Sequence, residues 1–251
     1  MSAETHLAAA WLEIALAAVT LLALLFISAP YGRHARAGFG PSLPSRLGWI
    51  MMESPAVIVF AAIYFAGPRR FEPVSLALLA MWQFHYINRT FVFPFRLPPT
   101  SKRMPLLVPV FGVAFNLLNA FVNAGWIGHV ARYDVAWLVD PRFIAGVLVF
   151  FTGFAINHAS DMKLLSLRAP GESGYKIPRG GLNELVTSPN YLGEIIEWTG
   201  FAIATWSLAG LAFALYTFAN LAPRALQHHK WYKEKFSDYP KARRALIPYV
   251  L

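Results

Sequence analysis

The chain has no cysteine. That excludes a disulfide framework and thiolate chemistry, and it frees the protein from any need for an oxidising compartment. Charge is also scarce: only 14% of the 251 residues are Asp, Glu, Lys or Arg, against ~25% in an ordinary globular chain, while 57% are hydrophobic. That is the composition of an integral membrane protein. No Gly-x-Gly-x-x-Gly follows a strand pattern and no Gly-x-x-x-x-Gly-Lys is present, so a nucleotide would be held by helices and loops rather than by a Rossmann or P-loop fold. Zinc-ligand spacing and basic–aromatic interleaving are missing too, which argues against nucleic acid. His228 and His229 are adjacent. On a helix they point ~100° apart with no third ligand at a suitable spacing, so no metal site is expected. The first apolar run lacks a basic leader and a clear cleavage site, and is expected to be a retained helix.

What is present is a series of long apolar runs, at roughly 6–28, 47–67, 75–95, 105–128 and 142–160, each near the ~20 residues that cross a hydrocarbon core. The stretch 191–223 is too long for one untilted helix, and Thr205 to Gly210 offers a turn between two. With seven spans and the N-terminus outside, seventeen of the 22 basic residues fall on the inner side. Arg69, Arg70, Arg132 and Arg142 stay outside, and Arg89 lies within a span. Six spans would put the basic tail on the wrong side. The positive-inside rule therefore predicts an all-α, seven-helix membrane protein with a cytoplasmic C-terminus, and the net charge of +9 needs no other explanation.

Polar groups inside apolar spans are costly and mark candidate sites. The densest group runs from Asn157 to Trp198. It holds Asn157, Asp161, Arg168, Tyr175, Arg179, Asn190, Glu194 and Glu197. Glu194 and Glu197, one turn apart, need cations or a shared proton; Arg168, Arg179 and Arg224 could supply them as a structural ion network, and the same network would also suit an amide, a ribose and phosphates. Upstream, Glu53 follows Trp49 on one helical face and precedes Pro55, a potential kink. Tyr86 and Arg89 share a face of the third span. Glu53 either pairs with Arg89 to hold two helices together or serves a ligand. Glu13, without polar company in sequence, is expected to be a wet or lipid-interface residue near the outer end of the first span.

At these residues the chain resembles the steroid 5α-reductase family and looks like a bacterial member of it. The likeness is strongest over the last hundred residues. It rests on Asn157, Ser160-Asp161, Leu167-Arg168, Gly174-Tyr175, Ile177-Pro178, Gly180-Gly181-Leu182, Asn190 to Trp198, Ala204 to Leu208, Arg224-Ala225 and Asp238 to Pro248. In the first half it rests on Trp49, Glu53, His85-Tyr86 and Arg89 to Val92, and more weakly on Pro30-Tyr31-Gly32. His158-Ala159 and the loop from Arg96 to Lys102 depart from the family pattern. The resemblance implies a single seven-helix reductase domain that takes hydride from NADPH and saturates the 4,5 double bond of 3-oxo-Δ4 steroids. Helices one to four would serve mainly the substrate, and about 142–251 mainly the cofactor. It further implies that Asn157, Asp161, Arg168, Tyr175, Asn190, Glu194, Arg224, Tyr232 and Tyr31 hold NADPH. Glu53 and Tyr86 would meet the substrate carbonyl, with Trp49 and Arg89 beside the steroid. The site would face the cytoplasm from a bacterial inner membrane or an ER-like membrane.

The chemistry suits the residues. Hydride addition to an enone develops negative charge on the carbonyl oxygen, and donors held there in a dry site stabilise it. A tyrosine hydroxyl donates directly; a carboxyl donates when it carries its proton. Two other readings fit the polar cluster. One is a membrane methyltransferase of the isoprenylcysteine or phospholipid type using S-adenosylmethionine; the other is a non-enzymatic sterol-binding or transport protein.

Overall fold

A computed structural model describes residues 2–29, 32–34, 38–97, 103–167, 172 and 174–251. Seven helices of 15 residues or more dominate them: α1 (Ala3–Phe26), α2 (Ser45–Phe65), α3 (Pro73–Ile87), α5 (Leu107–Gly125), α6 (Pro141–Ser166), α7 (Pro189–Thr205) and α8 (Leu208–Lys235). Between α3 and α5 sit a π-helical turn, Asn88–Val92, and the short α4 (Phe93–Arg96). A second π turn, Trp126–Val130, extends α5. Among the described residues, four helices are long and apolar enough to cross a membrane: α1, α2, α5 with its π turn, and α6. The other three fall short because α3 and α7 have only 15 and 17 residues, and α8 interrupts its apolar stretch with Asn220 and Arg224.

Local sequence explains the helix ends. Ser2 caps α1 by accepting from the Thr5 amide at 3.1 Å, and Asp140 caps α6 by accepting from the Arg142 amide at 2.8 Å. The turn expected between 205 and 210 is there. Trp206 takes the left-handed conformation (φ 43°), and Ser207 opens α8 by accepting from the Gly210 amide at 3.0 Å. Ahead of α2, β1 (Ser42–Pro44) pairs antiparallel with β2 (Arg103–Pro105), Leu43 opposite Met104, and ties the start of α2 to the start of α5.

Two kinds of helix packing position the site. Along α6 and α7 the contact is backbone on backbone. A Cβ at Gly153 would lie 2.2 Å from the Glu197 amide nitrogen, one at Gly193 2.4 Å from that of Asn157, and one at Gly200 2.3 Å from that of Phe150. Glycines in this register let two membrane helices approach closely. The α2–α3 contact is made by side chains. The Trp82 indole N–H donates to the Ala56 carbonyl at 2.8 Å, Gln83 donates to the Val57 carbonyl at 3.1 Å, and Phe60 stacks on Trp82 with centroids 4.3 Å apart. Around Trp82 lies the core, where Trp198, Phe201 and Phe213 all have ring centroids within 5.5 Å of it. Aromatic pairs in such tilted geometry add about 0.5–1.5 kcal/mol each beyond their buried area.

Candidate active site

The close approach of α6 and α7 builds a polar ladder between them. Asn157 and Asp161 are one turn apart on α6; Asn190, Glu194 and Glu197 follow at helical spacing on α7. Asn157 Nδ2 donates to the Asn190 carbonyl at 3.0 Å and to Glu194 Oε2 at 3.4 Å, while Asn190 Nδ2 donates to Asp161 Oδ1 at 3.0 Å. Four of the expected cofactor residues therefore form one connected group.

Arg89, from the π turn after α3, reaches this ladder. Its guanidinium lies 3.3 Å from Asp161 Oδ2 and 3.9 Å from Glu194 Oε2, and the same group covers the faces of Trp49 (4.5 Å) and Phe93 (4.8 Å). The π turn matters here, because the extra residue per turn redirects a side chain relative to the regular helix before it. Arg89 thus pairs with Asp161 and Glu194 and not with Glu53, as the structural reading of Glu53 required. Glu53 instead accepts from Asn116 Nδ2 at 3.3 Å; the same amide donates to the Met52 carbonyl at 2.8 Å. Asn116 had no signal in sequence beyond being an amide in an apolar run.

Glu197 takes a different partner again. Its Oε1 is 2.8 Å from His85 Nδ1, and both side chains are almost completely buried. The groups that meet Glu194 and Glu197 are therefore Arg89 and His85, and Glu197 Oε2 is left without a hydrogen-bond partner among the described residues. Arg179 is exposed and stands 3.9 Å from Asp238, while Arg224 lies 5.3 Å from the Tyr191 ring; Arg168 lies outside the described residues, as do Tyr31 and Lys102. The α3 segment, remote in sequence, packs on the face of α7 that carries both glutamates and brings Arg89 and His85 to them, two donors that proximity in sequence did not suggest. A buried His in one apolar span and a buried Glu in another was the signal available for the second pair.

Tyr86 follows His85 and is buried against Trp82 (4.9 Å between centroids) and Trp198 (5.5 Å). Its place relative to Glu53 follows from the Trp82–Ala56 bond. Ala56 is one turn after Glu53 on α2, and Trp82 is one turn before Tyr86 on α3. In two consecutive antiparallel helices those steps lead the same way, so Glu53 and Tyr86 share a level on facing helices.

Beyond the N-terminus of α7 is a second cluster. The Arg33 guanidinium lies over Tyr175 (5.5 Å), Trp231 (5.3 Å) and Tyr232 (4.7 Å), and its Nη1 is buried with no hydrogen-bond partner among the described residues. His228 packs on Tyr191 at 5.3 Å and His34 stacks on His228 at 5.5 Å. Tyr175, Arg224 and Tyr232 thus belong to a basic, aromatic group adjoining the ladder, and Arg33 is a member that sequence reasoning passed over. In the loop before α7, Glu184 Oε1 accepts from the Gly180 amide at 2.5 Å and Glu184 Oε2 is 3.5 Å from Arg243 Nη2; the amide bond first, then the guanidinium, hold this carboxyl below its usual range. Among the described residues, no cluster of three or more His, Cys, Asp or Glu has metal-site geometry.

Residues 102–251 match the family model described as 3-oxo-5-alpha-steroid 4-dehydrogenase. The chain is 44% identical over 236 residues to a cotton (Gossypium hirsutum) steroid 5-alpha-reductase DET2, covering 92% of each protein. It belongs to this steroid reductase family. Cattle (Bos taurus) 3-oxo-5-alpha-steroid 4-dehydrogenase 1 is 43% identical over 248 residues, covering 97% of this chain and 96% of the relative. The human enzyme of the same name is 43% identical over 222 residues, covering 88% and 85%. The family model covers the ladder, and the alignment to the cattle relative, over 97% of the chain, reaches the first half as well. Membership of the family makes the chain an oxidoreductase acting on CH–CH bonds, which sets aside methyl transfer and passive transport.

Proposed function

We propose that the chain reduces the 4,5 double bond of 3-oxo-Δ4 steroids with NADPH, as a seven-span protein whose C-terminus and cofactor site face the cytoplasm. The observation that carries this reading is the common level of Glu53 and Tyr86 in facing apolar helices, next to a polar ladder that neither residue helps to satisfy. Relatives named for the same reaction over nearly the whole chain support it. The basic residues on the inner segments and the seven long helices support the topology.

The residues present suit the cofactor. Asn157, Asp161, Asn190 and Glu194 offer the amide donors and carboxylate acceptors that a carboxamide and ribose hydroxyls require. The Nη1 of Arg33, which has no hydrogen-bond partner among the described residues, and Arg224 in the same cluster offer positive charge for phosphates. Tyr175 and Tyr232 would line that end; Arg168 and Tyr31 are proposed with them from the family resemblance. When bound, NADPH supplies the hydride, and that chemistry is the cofactor's own.

The protein's part is position, dryness and two donors. Tyr86 O–H and the protonated Glu53 carboxyl would hydrogen-bond the steroid carbonyl oxygen and stabilise the charge that collects there as the enolate forms. Asn116 donates to one oxygen of the Glu53 carboxyl. Asp161 and Glu194 take the ion pairs of Arg89, so the direct hydrogen-bond partner of the Glu53 carboxyl among the described residues is Asn116. Trp49, beneath the Arg89 guanidinium, would give the steroid a flat apolar wall. His85 and Glu197 fix the helix that carries Tyr86 against α7.

Purified wild-type protein with NADPH and a 3-oxo-Δ4 steroid should oxidise one NADPH per product two mass units heavier. Glu53→Gln and Tyr86→Phe should each fold, still bind NADPH and lose roughly 10²–10³ in kcat. Full turnover per folded molecule in both variants would return the pair to a structural role.

A further inference from the structure

Two buried polar side chains outside the candidate site stand in contrast. Glu13 was expected at a wet or lipid-facing position, and the structure encloses it completely, with neither carboxyl oxygen hydrogen-bonded among the described residues. Thr187 is also buried, and its hydroxyl has three partners. Oγ1 lies 2.6 Å from His229 Nδ1, 2.7 Å from the Tyr239 hydroxyl and 3.0 Å from the Arg244 carbonyl oxygen. A threonine hydroxyl carries one proton and two acceptor sites. The carbonyl only accepts, so Thr187 donates to it, and Tyr239 O–H and His229 Nδ1–H donate to Thr187. Every capacity of this hydroxyl is used.

The three partners tie separate parts of the chain to the loop before α7. His229 is on α8, one turn before Tyr232, while Tyr239 and Arg244 belong to the segment after α8. Ser188 precedes α7 without capping it through its side chain. The start of α7 is held instead by that last segment: the Thr187 amide donates to the Arg244 carbonyl at 2.8 Å, the Ser188 amide to the Ala245 carbonyl at 3.2 Å, and the Arg244 amide to the Leu185 carbonyl at 2.8 Å. Two residues past Ser188 comes Asn190, the first member of the ladder on α7. On the other side, the Tyr239 ring stacks on Tyr232 at 5.4 Å, and Tyr232 is the ring that carries the Arg33 guanidinium at 4.7 Å. One hydroxyl therefore joins the loop that leads into the ladder to the aromatic residue in the middle of the basic cluster.

We infer that Thr187 is a positioning residue for the cofactor: it fixes the spacing between the ladder and the Arg33 cluster, so that one dinucleotide reaches both. The inference rests on the proposed NADPH reading, in which the ladder takes the nicotinamide half and the cluster takes the phosphates of the adenosine half. Two linked halves bind better than each alone only when the distance between their subsites matches the linker. A hydroxyl that did no more than stabilise the fold would leave that gain intact in every folded molecule.

The test uses the full chain in detergent and three probes: NADPH, reduced nicotinamide mononucleotide, which carries the first half alone, and adenosine 2′,5′-bisphosphate, which carries the second. Binding of each is read by quenching of intrinsic tryptophan fluorescence and normalised to folded protein. Thr187→Val removes the hydroxyl and keeps the backbone bonds of the loop, whereas Thr187→Ser keeps the hydroxyl. Thr187→Val should weaken NADPH about tenfold and each half-probe by less than about twofold, and Thr187→Ser should return NADPH to the wild-type affinity. Unchanged NADPH affinity in Thr187→Val overturns the assignment. So do half-probes that weaken as much as NADPH, which would place the damage in one subsite, and so does a serine variant that binds NADPH no better than the valine variant. Should Thr187→Val not fold, Tyr239→Phe removes one donor to the same hydroxyl while keeping the ring, and the same outcomes decide. Wild type that binds none of the three probes overturns the cofactor reading and this assignment with it; wild type and Thr187→Val that bind all three alike overturn the assignment alone.

Discussion

The α6–α7 and α2–α3 interfaces solve the same problem in opposite ways. Between α6 and α7 glycines bring backbone to backbone, and the polar side chains above them satisfy one another: Asn157 with Asn190 and Glu194, Asn190 with Asp161. Between α2 and α3 large side chains set the spacing, and the polar groups one turn away, Glu53 and Tyr86, turn to Asn116 and to aromatic rings rather than to each other. The first interface is a preorganised frame, which is what the nucleotide site proposed there requires. The second leaves donors available, as a transition state that develops charge requires. Arg89 joins the two, because it stands on the α3 side and pairs with carboxylates of both α6 and α7.

Arg89→Ala should therefore have the largest effect. It leaves Asp161 and Glu194 without their cation, and removing one partner of a buried pair costs about 3–5 kcal/mol. Thermal unfolding in detergent checks this, and a melting temperature equal to wild type would mean that the two regions are not joined through this residue. Gly153→Ala comes next. Its Cβ meets the Glu197 backbone and must push the helices apart, at a cost of about 1–3 kcal/mol. Asparagine-ladder geometry should loosen with it, so NADPH affinity should fall together with stability; an unaffected Kd would show that the frame is not what holds the cofactor. Arg224→Ala should weaken NADPH roughly tenfold and NADH less, because the two differ by one phosphate, and equal losses in a titration would separate Arg224 from that phosphate. Trp82→Phe is the smallest change. It keeps the aromatic packing and removes one hydrogen bond to Ala56, worth about 1 kcal/mol, so turnover should drop only as far as the α2–α3 level shifts.

The apolar runs of α1, α2, α5 and α6, and the turn at Trp206, are local properties and were readable directly. So were the helical spacings that put Asn157 with Asp161 and Glu194 with Glu197. Each depends only on residues within a turn or two. The π turn that aims Arg89 was not readable, because Asn88 to Val92 carries no local mark that separates it from a regular helix. Glu13 shows the limit most clearly. Nothing within its own helix tells lipid from interior, since a lone carboxylate has the same neighbours in either case.

Composition by itself determined that this chain is an apolar, all-helical membrane protein, and its ordered polar motifs pointed to its family. Only the tertiary structure decided which charges meet. It gave Arg89 to Asp161 and Glu194, His85 to Glu197 and Asn116 to Glu53, and it left Glu13 without a hydrogen-bond partner among the described residues. The reason is physical: apolarity acts on each segment separately, whereas an ion pair or hydrogen bond needs two groups within a few ångströms, and helix packing sets that distance.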